Sequence, residues 1–129
     1  MARPPAPSAN GPLRSRCPIA GALDLLGDRW TLLVVRDLVF YGKTRFADFL
    51  GSPEGISTNM LADRLDRLER RGLVERRRYQ EHPPRDEYHP TARCRALRPV
   101  MRALIRWGQR HVPGTAQHPP RGLAAPRRG

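Results

Sequence analysis

The stretch from Gly51 to Gly72 constrains this chain more than any other. Gly51-Ser52-Pro53-Glu54-Gly55 sets two glycines and a proline within five residues, which forces a turn. Ser57 then offers an N-cap side chain, and Ile56 and Leu61 occupy the two positions of a hydrophobic staple around it. Leu61, Leu65 and Leu68 continue a single apolar stripe at helical spacing, Arg64, Arg67, Arg70 and Arg71 lie off that stripe, and Gly72 stops the helix. Upstream, Thr44 to Leu50 reads as a shorter helix with an extended lead-in, since Phe46, Phe49 and Leu50 face inward together. Downstream, Leu73 to Tyr79 and Asp86 to His89 are strand-like and flank Gln80 to Arg85, where Pro83 and Pro84 require a hairpin loop longer than two residues.

The remaining segments are helical. Pro18 to Leu26 begins with proline, tolerated in a first turn, and ends at Gly27. Asp28 predicts the N-cap of a helix from Arg29 to Phe40 with Trp30, Leu33, Val34 and Leu38 inward, and Gly42 follows its end. Thr91 caps a last helix whose stripe is Leu97, Val100, Met101, Leu104, Ile105 and Gly108. Pro99 within it predicts a kink or a restart. The order is helix, helix, short helix, turn, capped helix, hairpin, helix: a mainly α fold with a small β-hairpin, the winged helix-turn-helix. In that arrangement the second helix of the pair enters a DNA major groove and the hairpin reaches the flanking backbone or minor groove. The folded domain is expected over residues 17–112, between a disordered tail over 1–16 and a disordered basic tail over 113–129. Both tails are rich in Pro, Gly, Ala and Arg and lack apolar periodicity.

Charge and composition narrow the function. The net charge of +12 favours a polyanionic partner. Lys43 is the sole lysine among the 24 basic residues, so a compositional bias toward arginine accounts for the charge equally well. No apolar run approaches the roughly 20 residues that cross a bilayer, and no signal-peptide core opens the chain, so membrane residence is not expected and a cytoplasmic location is. Two cysteines and four unpaired histidines make neither a disulfide framework nor a metal site. No phosphate loop, nucleophile elbow or catalytic carboxylate pair is present, so neither enzymatic activity nor a cofactor is expected.

The candidate DNA contacts follow from the helix pair and the hairpin. Ser57, Thr58, Asn59 and Met60 form the first turn of the groove-entering helix, where short polar side chains suit phosphates and base edges. Asn59 can pair with adenine, and Arg64 with guanine or a phosphate. The bland alternative is that Ser57 only caps the helix and Asn59 is merely solvated. Lys43, Thr44 and Arg45 precede the short helix, within reach of phosphates. Arg67, Arg70 and Arg71 are read instead as a solvated face paired with Asp63, Asp66 and Glu69. Arg76, Arg77 and Arg78 are less compensated. Arg77 shares a strand face with Glu75 and Tyr79, while Arg76 and Arg78 share the other. Arg78 counts among the DNA candidates, as does Arg85, placed at the wing tip where an arginine suits a narrow minor groove; the alternative for Arg85 is a solvated loop residue. Cys17, beside Arg14 and Arg16 and near a helix N-terminus, sits in surroundings that raise thiol reactivity, or else is small apolar packing at a dimer interface. Cys94 reads as inert packing.

These residues also resemble the HxlR family of bacterial winged-helix regulators, relatives of the MarR group. The resemblance runs through Cys17-Pro18, Gly27 to Leu33, Arg45-Phe46, Gly55-Ile56-Ser57, Met60-Leu61, Arg64-Leu65, Leu68-Glu69, Gly72-Leu73-Val74, Pro83-Pro84-Arg85, Glu87-Tyr88, Pro99-Val100 and Trp107. It implies a homodimeric repressor or activator of transcription, bound to double-stranded DNA at a pseudo-palindromic operator, with its first and last helices forming the dimer interface. It further implies a redox or electrophile sensor at Cys17, as in some members. A small-molecule effector at the dimer interface is the other route to regulation. Cys94 and the arginine density depart from the family pattern. A winged-helix protein-interaction module with only non-specific DNA affinity is the alternative reading.

Overall fold

The computed structural model describes residues 13–115. The tails expected over 1–16 and 113–129 lie outside the described residues apart from 13–16 and 113–115. In chain order the elements are α1 (Pro18–Leu26), α2 (Thr31–Val39), α3 (Phe46–Leu50), α4 (Thr58–Arg70), β1 (Val74–Gln80), β2 (Arg85–Pro90), α5 (Ala92–Arg95) and α6 (Arg98–His111).

α1 has the bounds its sequence predicts. Gly27 ends it by donating its amide to the Leu23 carbonyl at 2.7 Å, and a β-carbon there would sit 2.5 Å from that same oxygen. α2 begins two residues later than expected. Asp28 still serves its start, accepting hydrogen bonds from the Trp30 and Thr31 amides at 2.8 and 2.9 Å. Residues 29–30 form a turn that feeds the helix, so the cap is where the sequence puts it while the regular repeat starts downstream. The buried face of α2 differs from its expected stripe: Thr31, Val34, Val35, Asp37, Leu38 and Val39 are inside, followed by Phe40, while Trp30 and Leu33 are only partly buried. It is the central helix, touched by α4, α5, α6 and β2.

α3 and α4 complete the helix pair. α4 presses Leu61, Leu65 and Leu68 into a core that also holds Val35, Phe40, Phe49 and Cys94. Gly72, at φ +78°, turns the chain out of α4 in a conformation that glycine alone adopts readily. β1 and β2 then pair antiparallel, with Arg76 opposite Tyr88, Arg78 opposite Asp86 and Gln80 opposite Arg85, and an irregularity between Arg78 and Gln80. The strands extend one residue further than predicted at both loop-facing ends. Arg85 therefore opens β2 instead of standing at the tip, which is formed by residues 81–84. The backbone of Thr44 joins the hairpin, its carbonyl accepting from the Tyr88 amide at 2.7 Å.

After the wing, Thr91 caps α5, accepting from the Cys94 amide at 3.3 Å. The helix then restarts as α6 with Pro99 in its first turn, because proline has no N–H to continue the ladder. The expected apolar stripe divides here. Met101 is buried and Leu97 and Ile105 pack against the core, whereas Val100, Leu104 and Trp107 are 46, 50 and 60 % exposed. α1 buries no residue at all, leaving Ile19 and Leu23 open.

Candidate nucleic-acid interface

The N-terminal end of α4 is the most sharply built part of the surface. Ser57 is extended and its hydroxyl accepts from the Met60 amide at 3.1 Å, satisfying one of the free donors of the first turn. Ile56 and Leu61 close the staple beneath it, both buried. Ser57, Thr58 and Asn59 stand exposed. Met60 differs from its neighbours, because it packs against the core and serves as an anchor.

A buried charge cluster that sequence reasoning missed holds the turn before α4. The Asp37 carboxylate, on α2, accepts a short hydrogen bond from the Ser52 hydroxyl and lies 3.4 Å from the Lys43 ammonium, which also donates to Ser52 at 2.8 Å. Arg36 donates to Asp37 at 3.0 Å and clasps Glu54 with both guanidinium ends at 2.8 and 2.9 Å. Burial disfavours the Arg36 charge, but Glu54 and Asp37 outweigh it and raise its pKa. In return, Arg36's hydrogen bond lowers the Glu54 carboxyl. Lys43, expected at a phosphate, is thus occupied inside the domain. The available signal was an acidic residue on the apolar face of α2, which only a buried partner permits.

The arginines divide by what they meet. Arg67 pairs with Asp63 and Arg70 with Asp66 along α4, as the charge spacing predicts. Glu69 instead reaches Arg76 on β1 at 3.1 Å, and Arg71 turns back to the Leu25 carbonyl at 3.2 Å. Arg64 is largely buried between Asp28, at 3.1 Å, and Asp63. The β1 arginines are compensated, contrary to the expectation. Arg77 pairs with Glu75 at 2.7 Å, and Arg76 and Arg78 both reach Asp86, Arg78 at 2.7 Å. That hydrogen bond raises the Arg78 pKa and lowers that of Asp86. Facing side chains at the paired positions 78 and 86 explain this compensation. Arg45 lies with its guanidinium carbon 4.0 Å from the Tyr79 ring centroid and donates its Nε to Glu87 at 3.3 Å, joining the start of α3 to the wing. Arg85 is exposed and makes no ion pair among the described residues.

Cys17 is the exposed N-cap residue of α1. Arg14, expected beside its thiol, is instead held by Asp24 at 2.5 Å. Cys94 is fully buried, and burial pushes its thiol up to about 11. No cluster of three or more metal-ligating side chains occurs among the described residues, nor any helix long and apolar enough to cross a membrane.

Comparison with known proteins agrees with this geometry. The family described as HxlR-like helix-turn-helix matches residues 25–116. An HTH-type transcriptional regulator of Synechocystis sp. is 44% identical over 92 residues, covering 71% of this chain and 67% of its own length. Among solved structures, the reduced transcriptional regulator YodB of B. subtilis superposes with a TM-score of 0.63 at 32% identity, covering 79% of this chain and all of its own. The reduced redox regulator HypR gives a TM-score of 0.67 at 33% identity, covering 74% of this chain and 96% of its own.

Proposed function

This chain belongs to the HxlR-like helix-turn-helix family of transcriptional regulators, and from that premise we propose that it is a sequence-specific regulator that binds operator DNA as a homodimer and represses by occupying its site. The observation that carries the proposal is the exposed, capped first turn of α4 standing beside a wing that is braced to the same helix pair. Ser57 and Thr58 and the N-terminal end of the helix take a phosphate, and Asn59 reaches base edges. Arg45, Thr44, Arg78 and Arg85 line the approach to the flanking backbone. Arg85 has the greatest freedom among them. Met60 and Lys43 support the contact surface from inside.

The dimer is proposed through α1 and α6. These helices carry Ile19, Leu23, Val100, Leu104 and Trp107, and Val112 follows α6, all more than 40% exposed. Side chains of that size left in water favour a partner face, and joining two such domains buries them at about 25 cal/mol per Å². The two α4 helices then enter successive major grooves about 34 Å apart. Redox control through Cys17 is proposed on its exposure at the open end of α1, and HypR is a redox regulator by name.

The test is selection of bound duplexes from a random pool at about 0.15 M salt, where exposed charges are substantially screened. Enrichment of a two-fold symmetric motif supports the dimeric regulator. Binding without preference, abolished by added salt, indicates a winged-helix module with non-specific affinity instead. For redox control, equal affinity of the reduced and oxidant-treated protein for the selected duplex sinks the proposal.

A further inference from the structure

Two arginines, Arg64 on α4 and Arg71 at its C-cap, reach the same short segment. Arg64 is 12% exposed at its side chain and its Nε donates to the Asp28 carboxylate at 3.1 Å. Just past the helix end, Arg71 donates to the Leu25 carbonyl at 3.2 Å, and its Nε is buried with no hydrogen-bond partner. Leu25 is in the last turn of α1, and Asp28 precedes α2 and accepts from the amides at its start. The Arg64 contact with Asp63 lies within α4 and ties it to nothing else.

The receiving end is equally committed. One Asp28 oxygen accepts from the Trp30 and Thr31 amides, and the other accepts from the Thr31 hydroxyl at 2.5 Å. Arg64 completes a set of four donors around one carboxylate, so the start of α2 and the flank of α4 share an anchor. α1 has no buried residue of its own to hold it in place. Its C-terminal end is held to the C-cap of α4 by Arg71 and to the core by Leu26.

We infer that Arg64 and Arg71 are positioning residues rather than DNA contacts: through Asp28 and the Leu25 carbonyl they tie one flank of α4 to the α1–α2 junction, so that the set of the DNA-facing helix follows the set of α1. This rests on the DNA-binding reading given above. It replaces the expectation that Arg64 reads a base or a phosphate. It also places a mechanical link between the α1 surface and the α4 turn, by which a displacement of α1 is felt at the DNA.

The salt dependence of binding separates the two roles of Arg64. A phosphate contact contributes about 0.9 to the slope of log affinity against log salt, so its removal flattens that slope. A tether contributes nothing to it. The variants are Arg64→Gln, Asp28→Asn and the double substitution. Asparagine caps helices as well as aspartate, so Asp28→Asn keeps the start of α2 while weakening the hold on Arg64. Against a duplex selected from the random pool, each single variant is expected to lose about tenfold in affinity with an unchanged salt slope. The double variant should lose no more than either, the mark of one shared interaction. A flattened slope for Arg64→Gln together with wild-type or tighter binding by Asp28→Asn overturns the inference, because a tether cut at either end has to weaken binding, whereas a phosphate contact is lost only with Arg64. Amide hydrogen exchange on the free protein provides a check independent of DNA. Arg64→Gln combined with Arg71→Gln should speed exchange over residues 23–31, and unchanged exchange there overturns the tether. If wild-type protein enriches no duplex, the DNA-binding reading fails, and the exchange result still decides the tether.

Discussion

Replacing Asp37 with alanine should unfold this domain more readily than any surface substitution, although no DNA contact is expected of Asp37. Its side chain is 4% exposed and meets Ser52, Lys43 and Arg36. Truncation removes the shared acceptor of three donors and leaves two cations beside it, Arg36 at 14% and Lys43 at 22% exposure, facing a hole. Deleting one partner of a buried ion pair costs about 3–5 kcal/mol. Arg36 keeps Glu54 and Lys43 keeps Ser52, so the lower figure applies. At about 4–8 °C per kcal/mol for a domain near 100 residues, a loss of about 3 kcal/mol lowers Tm by roughly 12–24 °C. Asp37→Asn retains an acceptor for the Ser52 hydroxyl and should fall about midway. Thermal unfolding followed by far-UV circular dichroism, at one protein concentration because any self-association raises apparent stability, gives the answer. A Tm for Asp37→Ala within about 3 °C of wild type would refute the claim that the cluster fastens the turn before α4.

Four further outcomes follow from the same structure. Ser57→Ala should cost about 1 kcal/mol of stability through the lost cap and weaken DNA binding by more than that, measured by urea unfolding and a binding titration. The Asp28 carboxyl has burial working against its ionisation, but the Thr31 hydroxyl, the Trp30 and Thr31 amides and Arg64 outweigh it and hold it at about 2, below its ordinary 3.8. A depressed acid stabilises the fold above its ordinary pKa and loses that contribution as pH falls toward the folded value. Urea midpoints should therefore drop less for Asp28→Asn than for wild type between about pH 4 and pH 2, and parallel curves would count against the assignment. A maleimide at pH 8 should label Cys17 at once and Cys94 only as fast as the domain opens, as read by intact mass. If the proposed dimer forms through α6, Trp107→Glu should shift the protein toward monomer in sedimentation, because the exposed apolar side of α6 then carries charge; an unchanged sedimentation coefficient counts against a dimer through this face.

Much of this protein is local. The turn at residues 51–55, the Ser57 cap, the staple of Ile56 and Leu61 and the stop at Gly72 depend on neighbours within a few residues, and each stands in the structure where the sequence puts it. The same holds for α1, for the restart at Pro99 and for the i,i+4 pairs Arg67–Asp63 and Arg70–Asp66. Helix capping and side-chain periodicity act over one or two turns, so the order of elements, and with it the winged helix-turn-helix, is written in the chain itself.

The assignment of charges was decided elsewhere. Whether Arg64 faces DNA or Asp28, 36 residues away, depends on how α4 crosses the start of α2. Lys43 looks like a free basic residue until the fold carries Asp37 and Ser52 beneath it. Glu69 serves Arg76 rather than Arg71 because β1 folds back along α4. Arg78 finds Asp86, and Arg85 leaves the wing tip, through a strand register that nothing within either strand specifies. α1 and α6 show the same division: their periodicity marks apolar side chains, but only packing separates Met101, which fills the core, from Leu104 and Trp107, which remain on the surface. Local backbone preferences fix elements, whereas a charge takes whichever partner tertiary folding brings within about 4 Å, and that distance is no property of sequence spacing.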